Sequence, residues 1–88
     1  MTKPTFTFDE GANGYLTEPI EIAEPVLVKI ELASQAPVVT LKQEEDGGWA
    51  NYGQTTKDAR RYEITIRPKG AMAIRLATPV KVLKCTII

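Results

Sequence analysis

The run VVTLKQEEDGGWANYGQTTKDARRYEITIRP, from Val38 to Pro68, decides the fold. Val39 and Leu41 alternate with Thr40 and Lys42, and Tyr62, Ile64 and Ile66 alternate with Glu63, Thr65 and Arg67. Side chains of a strand point to opposite faces in turn, so a period of two marks one buried and one wet face. Between the alternating runs stands Glu45-Asp46-Gly47-Gly48, whose Asp-Gly pair suits the positive-φ positions of a tight turn. The stretch reads as a paired antiparallel hairpin, and the core is expected to form around it. Trp49, the only tryptophan, follows the turn at once. A large ring at that place in a small β domain is expected to plug the core.

Outward from the hairpin the same period recurs. Val26, Val28, Ile30 and Leu32 share one face, with Lys29 and Glu31 on the other. Pro25 opens that strand, where it removes no interior ladder bond, and Ala33-Ser34-Gln35-Ala36-Pro37 ends it. Phe6 and Phe8 mark a strand from Thr5 to Asp9, followed by a turn at Glu10-Gly11-Ala12-Asn13-Gly14. Ile20 and Ile22 flank Glu21 in a short strand, and Met1 to Pro4 reads as an extended arm. On the C-terminal side, Gln54 to Arg60 has Ala59 as its one apolar residue and reads as an exposed loop. Pro68-Lys69-Gly70 reads as a tight turn. Met72, Ile74 and Leu76 then share a face opposite Arg75, and Val80 to Ile88 forms the last strand. No segment keeps helical spacing over two turns. About eight short strands at regular spacing predict an all-β domain over residues 5–88. An uncovered sheet must pack on a second sheet, so the expected fold is a single antiparallel β-sandwich, immunoglobulin-like or jelly-roll-like.

Composition narrows the function. A chain of 88 residues buries little more than about 60% of its unfolded surface, and small domains commonly add disulfides, a metal or a partner. Cys85 is alone and histidine is absent, which removes an internal disulfide and leaves one thiol, too few for a zinc site. A chain without disulfides suits assembly in a reducing compartment. Eleven basic and eleven acidic residues cancel. Such a chain has no bulk field to draw nucleic acid or an anionic membrane, and little electrostatic barrier to self-association. MTKPTFTFDEG holds no apolar run of signal-peptide type, and no stretch approaches the roughly 20 apolar residues of a membrane span. Neither nucleic acid nor membrane is expected as a partner.

Few side chains offer chemistry. Glu44, Glu45 and Asp46 are the only carboxylate cluster. Calcium takes about six to eight oxygen ligands, and the spacing here matches no calcium loop. The cluster reads instead as a solvated hairpin end whose charge discourages edge pairing. Without histidine the commonest general base at neutral pH is missing, and no Ser-His or Cys-His pair can form. Cys85 lies in an apolar strand, where a thiol behaves as a small core residue. The chain is therefore read as non-enzymatic, with no catalytic residues, cofactor or metal. The alternative is a small carbohydrate-binding sandwich in which Trp49 and Tyr52, beside Asp46, stack on a sugar ring.

In the last strand two phases overlap. Leu83, Cys85 and Ile87 share one face, and Val80, Val82 and Ile88 the other. A bulge near Val82 would bring most of them inside. Otherwise the second face is covered by a neighbouring subunit. Free termini are usually frayed and polar, so two final isoleucines favour the second reading. It predicts a homo-oligomer, a trimer by preference, with Val80, Val82, Ile87 and Ile88 at or near the contact.

A family resemblance points the same way. VVTLKQEEDGGWANYGQTT followed by YEITIRPKGAMAIRLA places a strand before an Asp-Gly-Gly-Trp turn, then a polar loop, then a strand ending at Pro68-Lys69-Gly70, then a strand with Arg75 at its middle. This layout, from about Val26 to the C-terminus, resembles that of small all-β virion structural proteins of tailed bacteriophages. The resemblance implies a virion accessory role, in capsid decoration or cement or at the tail or fibre. It also implies a commonly trimeric assembly, contacts with capsid or tail proteins, and assembly in the host cytoplasm.

Overall fold

The structure, a computed structural model, describes residues 2–88. Nine strands form: β1 (Phe6–Asp9), β2 (Gly14–Thr17), β3 (Ile20–Ile22), β4 (Val26–Ala36), β5 (Val39–Gln43), β6 (Trp49–Gln54), β7 (Ala59–Ile66), β8 (Met72–Thr78) and β9 (Val82–Ile87). The larger sheet has the order β1-β2-β8-β5-β6, with β3 also paired to β8, and the smaller has the order β7-β4-β9. Every pairing is antiparallel. The chain is an all-β sandwich. Only β1–β2 and β5–β6 are joined as neighbouring hairpins; the other connections beyond β3 carry the chain from one sheet to the other.

The two central strands supply the core because they are the most apolar on their inner faces. Val28 and Leu32 of β4 and Ile74 and Leu76 of β8 are fully buried, with Val38 between them. Ile22, Ile30, Ile66, Cys85 and Ile87 complete the cluster.

The turn expected at Glu45–Gly48 closes the β5–β6 hairpin. Glu44 N donates to Gly48 O at 2.7 Å and Gly47 N to Glu44 O at 3.0 Å. Gly47 takes a φ of 89°, the left-handed residue that ends a three-residue hairpin loop. The Asp46 carboxylate accepts from Gly48 N at 2.8 Å. The second arm is β6, however, and not Tyr62 to Ile66. Those residues belong to the smaller sheet, where Tyr62, Ile64 and Ile66 lie opposite Ile30, Val28 and Val26. Alternation is the same for either partner, so the pattern alone could not separate them. Pro68-Lys69-Gly70 correspondingly carries the chain back to the larger sheet instead of closing a hairpin, with Gly70 at a φ of 131°.

Three other features go beyond the sequence pattern. β2 is a strand of its own, too short to show a period. Its first residue must be small, because a Cβ on Gly14 would lie 2.9 Å from Thr78 O. β4 runs on to Ala36: its ladder with β7 passes from Glu31 opposite Arg61 to Ala36 opposite Ala59, so the Ala33–Gln35 segment bulges out. The Tyr62 hydroxyl secures that irregular end. It accepts from Ala59 N at 2.8 Å and reaches Ala36 O at 2.8 Å and also Lys57 O. A tyrosine that ties the start of its strand to the backbone just upstream is a recurrent device of β-sandwiches. Finally, within the arm expected at residues 1–4, Thr2 makes an isolated bridge to the edge strand β9. Thr2 N donates to Ile87 O at 2.9 Å, and Ile87 N to Thr2 O at 2.7 Å. Two residues further stands Pro4, which has no N–H to continue a ladder. Met1 lies outside the described residues.

Candidate functional site

The C-terminal strand resolves its overlapping phases through a bulge. Opposite β4, Glu31 faces Lys84 but Leu32 faces Val82, so Leu83 is the extra residue. Val82, Cys85 and Ile87 all turn inward as a result. Of the residues expected at a subunit contact, Ile87 is in the core and Val80 and Val82 pack against it. Ile88 alone is open, at 60% exposure, joined on the same strand by Leu83 at 54%. Three of the four residues expected at a contact, Val80, Val82 and Ile87, are thus taken up by the chain's own core, because an inserted residue shifts the pleat by one. Ile88 is fixed by backbone bonds to Leu27 at 2.9 and 3.1 Å. Burial pushes the Cys85 thiol from 9.0 up to about 11, which disfavours the reactive thiolate.

The outer face of the smaller sheet alternates in charge. Lys29 Nζ lies 3.8 Å from Glu63, and Arg61 lies 3.6 Å from Glu31. Exposed pairs of this kind contribute about 0–1 kcal/mol and form a solvated surface.

The outer face of the larger sheet is different. Thr40 and Lys42 lie opposite the core residues Leu76 and Ile74, so Leu41 and Gln43, with Ala73 and Arg75, turn outward. Trp49 pairs with Gln43 and shares that outer face. It is half-buried and is not part of the core, which corrects the expected plug. Tyr52 lies on the other face. Thr40 faces Gly53 while Leu41 faces Asn51, so Tyr52 is the extra residue of a bulge. Its ring packs against the core and its hydroxyl donates to Arg67 O at 2.8 Å. The bulge therefore parts Trp49 from Tyr52, and Asp46 is committed to its own turn. The three do not form one platform.

Arg75 is the residue that the sequence pattern undervalued. Its Nε donates to Thr17 O at 2.7 Å. Its guanidinium carbon lies 5.4 Å from the Trp49 ring centroid, within the range of a cation–π contact. Among the described residues neither terminal nitrogen has an acceptor or a carboxylate partner. The only signal in the sequence was a charged residue set between Ile74 and Leu76. Its contact with Trp49 depends on two strands brought to either side of β5.

Among the described residues no group of three or more acidic, cysteine or histidine side chains is placed to hold a metal ion. No helix is long and apolar enough to cross a membrane. Comparison with protein-family models, with curated proteins and with solved structures found no match for this chain.

Proposed function

We propose that the chain is a non-enzymatic structural protein that acts through protein–protein contacts, as an accessory protein of a virion: capsid decoration or cement, or a tail- or fibre-associated part. The observation that supports this best is β9. It is an edge strand that keeps Val82, Cys85 and Ile87 inside and leaves Leu83 and Ile88 open. Fully burying such a side chain contributes about 1.5–3 kcal/mol, so a neighbouring capsid or tail protein that covers both gains two apolar contacts, about 17 Å apart along the strand. The carbohydrate-binding alternative needs Trp49 and Tyr52 on one face, and they lie on opposite faces.

The test is co-migration. In a lysate where the chain is made alongside assembling particles, it is expected to band with them on a density gradient. Leu83→Asp combined with Ile88→Asp should release it without lowering its melting temperature. A wild-type chain that stays at the top of the gradient in every such lysate overturns the proposal.

A further inference from the structure

We infer that the outer face of the larger sheet pairs two copies of this chain, each Arg75 taking the Glu45 carboxylate of the other copy. This goes beyond the virion reading and does not depend on it. Arg75 is held from both sides, by Thr17 O and by the Trp49 ring. Its planar fork is oriented in advance, and its terminal N–H groups have no acceptor among the described residues. A fork so placed suits a carboxylate, which it binds through two parallel hydrogen bonds.

The chain carries a matching group at the tip of the same sheet. On the outer face of β5, Leu41 lies level with Arg75 and Gln43 level with Trp49. Glu45 comes one further step along, at the exposed turn. Within the strand a step of two residues spans about 6.7 Å. The turn that carries Glu45 lies beyond the Trp49 row, on the side away from the Arg75 row. A two-fold axis lying between two facing copies and passing through the Trp49 row exchanges the outer rows. It sets Arg75 of one copy over the hairpin tip of the other, and the reverse. This is an isologous contact, in which one patch serves both partners. At its centre the two Trp49 rings meet, flanked by half-buried Leu41. Tryptophan and arginine are the residues that most often anchor such contacts. The Glu45 carboxylate has no cation partner among the described residues, and the zero net charge sets no general repulsion against pairing.

Sedimentation velocity and light scattering over micromolar to millimolar concentrations test this. The wild-type mass is expected to rise with concentration toward twice the monomer value and to fall back in high salt. Glu45→Arg, on an exposed turn, should weaken pairing at least about tenfold while leaving the melting temperature unchanged. Adding Arg75→Glu to it should restore pairing by exchanging the two charges. A wild type that is monomeric throughout the range overturns the inference. So does a Glu45→Arg variant that pairs as well as the wild type, or pairing that is lost only with Leu83→Asp.

Discussion

Tyr62→Phe isolates one oxygen atom on which three segments converge. The ring stays in place against the core, and only the hydroxyl is removed. That hydroxyl accepts from Ala59 N and donates toward the backbone carbonyls of Ala36 and Lys57. With one proton to give, it makes about two hydrogen bonds at a time, each worth about 1 kcal/mol net. The loss leaves a partly buried N–H at Ala59 without its partner, so the expected cost is about 2 kcal/mol. A domain of 88 residues has a total stability of about 4–13 kcal/mol, and 1 kcal/mol moves the midpoint by about 4–8 °C at this size. Thermal unfolding followed by circular dichroism should therefore show a fall of about 8–16 °C. Tyr52→Phe is the control. Its hydroxyl makes a single bond, to the exposed Arg67 carbonyl, which water can replace, and the cost should stay under about 1 kcal/mol. If Tyr62→Phe melts within about 3 °C of wild type, or Tyr52→Phe costs as much, Tyr62 does not secure the irregular end of β4.

Three further predictions concern the C-terminal strand. Ile87→Asp places a carboxylate in the core and should unfold the domain or cost several kcal/mol. The same change at Ile88 should alter stability by no more than about 0.5 kcal/mol, and urea unfolding of the two variants gives the comparison. Cys85 should resist thiol reagents in the folded state and react fully in denaturant. Its thiol ionises at about 11 when folded against 9.0 for the ordinary group, so above pH 9 the unfolded chain loses a proton that the folded chain keeps. Stability from this group is complete below that pH and is lost as pH rises toward about 11. Cys85→Ala should flatten the fall in urea midpoint across that window.

The fold class, most of the strands and the hairpin turn were legible in the amino-acid order. These depend on local rules: alternation of side chains across the pleat, and the backbone freedom of Gly47 at a φ of 89°. The inward faces of β4 and β8 were legible for the same reason, since Val28, Leu32, Ile74 and Leu76 fall on one phase of their strands. Tertiary structure alone decided which strands pair. Tyr62, Ile64 and Ile66 alternate identically whether they face β5 or β4, and only the closing of two sheets on one core assigns them to β4. It also decided every phase shift, because an inserted residue is defined by what stands opposite. Leu83 is extra only against Glu31 and Leu32, and Tyr52 only against Thr40 and Leu41. Those bulges set the exposed surface. One sends Val82 inward with Cys85 and leaves Leu83 in water. The other parts Tyr52 from Trp49 and leaves the tryptophan to meet Arg75, a contact between residues on strands separated by β5.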